Sequence, residues 1–235
     1  MRHEANRLVT MEASSIWKEP HRLPIAIENL TDDLFRKNVS GTGFALVDLG
    51  PNVDLLQFRS ILIGFAAALD EIYQRSFSRR LVLRSMGRFD QHKSTEAHLD
   101  GAPDESIIML GYEPTDVPSR LFVLDYTKCA VERGLDPKTF LAQFNPTSKD
   151  GRALLEGYCH EVRPFNSRHF RIVMINNSSR PLDSGAEGML GVLHQSLVQA
   201  APPGGTRYIN TLLLSPGHGC VASYAAFLRS SPHNQ

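Results

Sequence analysis

A chain of 235 residues with 25 basic and 25 acidic side chains carries no net charge to draw it to nucleic acid or to an anionic membrane. Its length suits one domain, at most with an added subdomain, and is enough to bury a core without disulfides or a structural metal. Cys129, Cys159 and Cys220 are odd in number, far apart and free of any C-x-x-C, which argues against a disulfide framework or zinc ribbon and fits a reducing compartment.

The N-terminus, with Arg2, Glu4 and Arg7, lacks the apolar run of a secretory signal. Residues 1–40 are polar and mixed and read as an irregular or weakly helical lead-in. Gly43 to Leu49 is a short apolar run that predicts a strand. Leu55, Phe58, Leu62, Phe65, Leu69 and Ile72 then recur at three and four residues, the stripe of a packing helix with Asn52 as a candidate N-cap. The longest apolar stretch, Ile61 to Leu69, lies in this helix and is too short and interrupted to span a bilayer. The expectation is a cytoplasmic protein that acts on a small molecule, with no nucleic-acid or membrane partner.

From residue 81 the pattern changes to short strands, predicted at Leu81–Ser85, Ser106–Gly111, Arg120–Tyr126, His169–Ile175, Met189–Val198 and Thr206–Leu214. Between them, residues 127–160 differ. Pro137 can open a short helix through Phe144, Asn145-Pro146 breaks it, and Arg152–Tyr158 looks like another. This insertion is either a lid or an outer packing element. The whole is mainly β with supporting helices, a sandwich or barrel: lead-in 1–40, body 41–225 with insertion 127–160, and tail 226–235.

Three features in order propose a mononuclear iron site: His98-Leu99-Asp100, the distant His194, and Arg207 thirteen residues further on. In an extended segment, residues two apart share a face, so His98 and Asp100 can converge on one ion. Two imidazoles and a carboxylate cap one side of Fe(II) and leave the other open. An H-x-D alone means little in a chain with nine histidines. His194 is the more telling residue, because it interrupts the apolar run Met189 to Val198 and must satisfy two ring nitrogens there. A core His bonded to a carbonyl accounts for the same position as well as a metal ligand does. A local rival set uses His92 with His98 and His194, as a cupin-like metal protein would, and leaves Arg207 without a task.

Arg207 follows the turn Ala201 to Gly205. A dianionic 2-oxo acid that chelates the metal places its far carboxylate in a poorly solvated pocket. Arg suits that carboxylate because its planar fork binds both oxygens.

With His98, Asp100, His194 and Arg207 in this order, the sequence resembles the Fe(II)- and 2-oxoglutarate-dependent dioxygenases. The strand and long helix after Gly43, and the run Arg171 to Asn177 before the distal His, agree with that resemblance. It covers roughly residues 40–220. It implies a double-stranded β-helix, a jelly-roll or cupin-like barrel, with Fe(II) on His98, Asp100 and His194 and 2-oxoglutarate on Arg207. It also implies O2-dependent conversion of 2-oxoglutarate to succinate and CO2, coupled to oxidation of a second substrate. Asp100 fills the position that a halide takes in halogenating relatives, which favours hydroxylation or another oxidation. Many members place Ser or Thr two residues after the Arg. Here that position is Ile209, so another group, with Thr211, Arg84 and Arg88 as candidates, must assist.

Overall fold

The computed structural model describes residues 8–10, 23–180, 188–218, 227–228 and 233–234. In chain order the elements are β1 (Leu8–Thr10), α1 (Leu23–Leu34), β2 (Phe44–Gly50), α2 (Leu55–Phe77), β3 (Leu81–Asp90), β4 (Ile107–Tyr112) and β5 (Ser119–Leu124). The helices α3 (Tyr126–Glu132), α4 (Pro137–Gln143) and α5 (Lys149–Leu155) follow, then β6 (Cys159–Glu161), β7 (Phe170–Asn176), β8 (Leu193–Val198), β9 (Tyr208–Pro216) and β10 (His233–Asn234).

The strands form two sheets. The larger has the order β1-β2-β7-β4-β9-β3-β10, antiparallel within and closed at each edge by a short parallel strand. The smaller is antiparallel, in the order β6-β5-β8. Alternation along the large sheet separates its side chains into two cores. On one face Ile107, Met109, Ile172 and Met174 pack with Phe58, Leu62, Phe65 and Leu69 of α2. On the other Ile108, Leu110, Val173 and Ile175 meet Leu121 and Val123 of β5, so the two sheets lie face to face. Strands buried on both faces read as continuous apolar runs, as β4 and β7 do.

Helix α2 has the predicted stripe, but its N-cap is Asp54, not Asn52. Asp54 accepts from the Gln57 backbone N–H while the Gln57 side chain accepts from the Asp54 N–H, a reciprocal pair that Asn52 has no partner to build. The lead-in contains a full helix, α1, and β1 pairs with β2. At the other end Phe227 enters the core, and Arg59 donates to the carbonyls of Phe227 and Leu228. Cys220 falls outside the described residues, and Cys129 and Cys159 are free thiols. Among the described residues, no helix is long and apolar enough to cross a membrane.

The insertion packs on the outer side of the small sheet. Tyr126, Cys129, Ala130, Phe140 and Leu155 form a third core with Ala97, Leu124 and Leu193, with Leu99 packed against it. Ala97, Leu99 and Leu193 are the immediate neighbours of His98 and His194, so the insertion backs the candidate metal strands from behind. Helix α3 was not predicted; it begins at Tyr126, where the predicted strand Arg120–Tyr126 had its end, because Asp125 caps it by accepting from Lys128 N.

Asp125 also pairs with Arg36 through two short contacts of 2.6 and 2.7 Å, both side chains almost fully enclosed. The same guanidinium donates to the carbonyls of Leu190 and Gly191, just before β8, and to that of Gly41. Gly191 must be glycine, since a Cβ there would lie 1.9 Å from the Ser178 carbonyl oxygen. Removing one partner of a buried pair strands the other charge, at a cost of about 3–5 kcal/mol. Asp125→Ala is therefore expected to lower the melting temperature by on the order of 10 °C for a chain of this size. A thermal melt checks it, and a shift of only a degree or two would mean that Arg36 is satisfied by its three carbonyls alone.

Candidate metal centre

His98 and His194 are direct cross-strand partners. Each backbone N–H donates to the other's carbonyl, at 3.1 and 3.0 Å, in an isolated antiparallel bridge that extends the small sheet. Residues paired this way present their side chains on one face. The two rings accordingly meet, with centroids 4.3 Å apart. The His98 Nδ1 lies 2.7 Å from the Glu96 carbonyl. That carbonyl can only accept, so Nδ1 carries the proton and Nε2 keeps its lone pair for a ligand.

Asp100 lies two residues beyond His98 and turns its carboxylate towards both rings. Its Oδ1 is 4.0 Å from His98 Nε2, and its Oδ2 is 3.5 Å from His194 Nε2. One ligand atom from each of the three side chains lies within 4.8 Å of the others. Among the described residues this is the one such cluster.

Burial sets the electrostatics. It pushes His194 down to about 3, with His98 adding to the effect, so the imidazole is neutral. Burial also raises Asp100, opposed by His98. The buried Asp100 Oδ2 and His194 Nδ1 have no hydrogen-bond partner. Such orphaned atoms need an explanation. A carboxylate oxygen stranded beside two imidazole nitrogens is a donor set that a divalent cation satisfies, since a bound cation takes an ionised carboxylate and deprotonated rings together. His194 departs from expectation in one respect, because no carbonyl or carboxylate among the described residues accepts from its Nδ1.

The three side chains line a cavity of about 420 Å³ between the sheets, with Tyr112, Ser196 and Thr211 among its other polar neighbours and Leu110, Ile209 and Leu213 among its apolar ones. Arg207 stands one layer behind this wall. It is 1% exposed and precedes β9 by one residue instead of lying within a strand. Its guanidinium donates to Ser196 Oγ at 3.0 Å, Ser119 Oγ at 3.2 Å and the Gln91 carbonyl at 3.2 Å, and lies 5.3 Å from the centre of the Tyr112 ring. All three acceptors are neutral, and burial depresses the arginine's pKa. Among the described residues no carboxylate pairs with its guanidinium, so a buried cation without an anionic partner stands behind the cavity wall.

The hydroxyls that meet Arg207 are not among those named from the sequence. Ile209 does line the cavity, but the hydroxyls beside Arg207 come from Ser196 and Ser119. Ser196 follows His194 by two, on the same strand face, a period-two signal that was open to sequence reasoning. Thr211 lines the cavity. Arg84 is held by Ser215 Oγ and the Pro216 carbonyl, Arg88 pairs with Glu113, and neither lines the cavity. Tyr112, buried between Arg207 and Arg171, gave no sequence signal.

His92 lies outside the cluster. Its Nε2 contacts Asp90 Oδ1 at 2.6 Å, and the same carboxylate oxygen accepts from the Arg207 backbone N–H. His92→Ala is expected to leave divalent-metal affinity unchanged, as read by anaerobic Mn(II) titration. Loss of metal there, with retention in Asp100→Ala, would replace the His-Asp-His set by a His92-containing one.

In comparison with known proteins, no family model and no curated protein matches the chain. Among solved structures, it is similar to an iron and alpha-ketoglutarate-dependent endoperoxidase, NvfI. One structure, of a variant, shares 12% identity over 74% of this chain and 76% of that chain, with a TM-score of 0.39. Another, in a different conformation, shares 10% over the same fractions, with a TM-score of 0.34. Likeness at this level carries no family assignment, and the functional reading rests on the residues themselves.

Proposed function

We propose that the protein is an Fe(II)- and 2-oxoglutarate-dependent dioxygenase of the double-stranded β-helix fold, which hydroxylates a small molecule. The supporting observation is the pairing, at one cavity, of a His-Asp-His donor set with a buried arginine that lacks an anionic partner. His98, Asp100 and His194 would hold the metal, and their grouping on one side leaves other coordination positions for ligands. Bound iron supplies the redox chemistry that couples O2 and 2-oxoglutarate to oxidation of the substrate, with succinate and CO2 as coproducts.

The chain's own residues account for binding and orientation. Asp100 offsets one charge of the cation, and the two neutral imidazoles add none. The Glu96 carbonyl fixes the His98 tautomer. Ser196 stands between the cavity and Arg207, so its hydroxyl, oriented by the guanidinium, can donate to the far carboxylate of a 2-oxo diacid while Arg207 supplies the counter-charge. Leu110, Ile209 and Leu213 give the cavity an apolar side, and less water beside the polar groups strengthens these electrostatic contacts.

The test is metal content after reconstitution, followed by anaerobic calorimetric titration of the Fe(II)-loaded protein with 2-oxoglutarate. Binding of both supports the reading. Metal binding without 2-oxoglutarate binding leaves a cupin-like metal protein, and binding of neither overturns the site.

A further inference from the structure

The three proposed ligands are held by different means. His194 belongs to β8, and His98 is tied to it by two backbone hydrogen bonds. Asp100 lies beyond that bridge and in no strand. Its backbone is instead gripped by one side chain, 77 residues away. The Asn177 Oδ1 accepts from the Asp100 N–H at 2.8 Å, and the Asn177 Nδ2 donates to the Asp100 carbonyl at 3.2 Å. The carboxamide therefore makes the donor and acceptor pair that a neighbouring strand would otherwise make.

Asn177 is itself fixed. It is 2% exposed, directly follows β7, and its Nδ2 also donates to Ser106 Oγ at 3.0 Å. Its backbone N–H donates to the Ser106 carbonyl. The contact thus runs from the large sheet to the loop that carries the one anionic ligand.

We infer that Asn177 is a positioning residue for the metal centre, which sets the place of the Asp100 carboxylate by clamping the Asp100 main chain. The inference rests on the proposed His98-Asp100-His194 site and adds a residue to it. Asn177 suits the role because only a carboxamide offers an acceptor and a donor side by side on a short, stiff stem. An aspartate would keep the acceptor and lose the donor. A serine would reach neither group in the same geometry. Without the clamp, Asp100 keeps its charge but must be ordered when metal binds, and that ordering reduces affinity.

The experiment is anaerobic Mn(II) titration of wild type, Asn177→Ala, Asn177→Asp and Ser106→Ala, with the metal-free melting temperature of each. Partners that orient metal ligands typically contribute about 10–100-fold in affinity. Asn177→Ala is expected to fall in that range. Ser106→Ala, which loosens the clamp without removing it, should lose less. Asn176→Ala is the control. Asn176 is equally buried and donates to the Leu34 carbonyl without touching Asp100, so it should lower the melting temperature and leave Mn(II) affinity unchanged. Wild-type affinity in Asn177→Ala overturns the inference, as does equal loss in Asn176→Ala. If Asn177→Ala does not fold, Asn177→Asp and Ser106→Ala decide, and unchanged affinity in both overturns it. If wild type itself binds no metal, the site reading fails first, and the two failures are told apart.

Discussion

Arg207→Ala is expected to weaken 2-oxoglutarate binding to the Fe(II)-loaded protein by well over tenfold and to leave Fe(II) affinity almost unchanged. The Arg207 guanidinium is buried, donates to the neutral oxygens of Ser119, Gln91 and Ser196, and has no carboxylate partner among the described residues. An anion that reaches Ser196 would supply the missing charge. Losing one partner of a hydrogen-bonded charge pair in a desolvated site costs about 2–5 kcal/mol. Since about 1.4 kcal/mol is one decade, the loss should exceed tenfold even at the low end. Arg207→Lys should fall between, because it keeps the charge and loses the fork that spans Ser119 and Ser196. The arginine also packs beside Tyr112, so its removal will disturb the wall as well as the charge. Fe(II) titration of the same variants separates the two effects, because a collapsed wall would weaken metal and 2-oxoglutarate together. Unchanged 2-oxoglutarate affinity in Arg207→Ala would overturn the cosubstrate assignment and leave a metal-binding barrel.

The second large effect concerns the ligands. His98→Ala, Asp100→Ala and His194→Ala should each abolish Fe(II) binding and turnover while the chain still folds. Changes behind a metal site cost about 10–100-fold, so loss of a ligand should cost more than the upper figure. Asp100→Ala is the sharpest of the three. In the metal-free protein burial disfavours its carboxylate, and Oδ2 has no partner, so removing it relieves an unfavourable group. The metal-free melting temperature of Asp100→Ala should therefore not fall, although its metal affinity vanishes. A large fall would mean that Asp100 is a structural residue, and the metal reading would lose its carboxylate.

Much of this arrangement was legible in the chain. Short apolar runs located the strands, and the stripe from Leu55 to Ile72 located the long helix, because burial on two faces or one imposes those patterns. The H-x-D and the isolated His194 in an apolar run marked three side chains of one cavity, because a polar residue that interrupts a buried strand needs a partner. The boundaries were less legible. The cap fell at Asp54 because Gln57 completes a reciprocal pair with it. The helix α1 was hidden in a polar lead-in, because its stability comes from Ile27, Leu30 and Leu34 packing on the core and not from a long periodic run.

By itself, then, the sequence determined the residue types that can hold a cation and an anion, their order, and a mainly β scaffold with helices. Which of those residues meet was decided by tertiary structure alone. The pairing of β8 with the segment around His98 brought Asp100 and not His92 to the two rings, because the bridge to His194 turns both rings to the side that Asp100 faces while His92 turns to Asp90. Arg207 became a buried cation through Ser119, Gln91 and Ser196, which lie on three separate segments. The place of Asp100 depends on Asn177, which is 77 residues away. Such contacts join residues far apart in the chain. Their free energy comes from burial and hydrogen bonding that exist only after the sheets have met, and so they leave no local pattern to read.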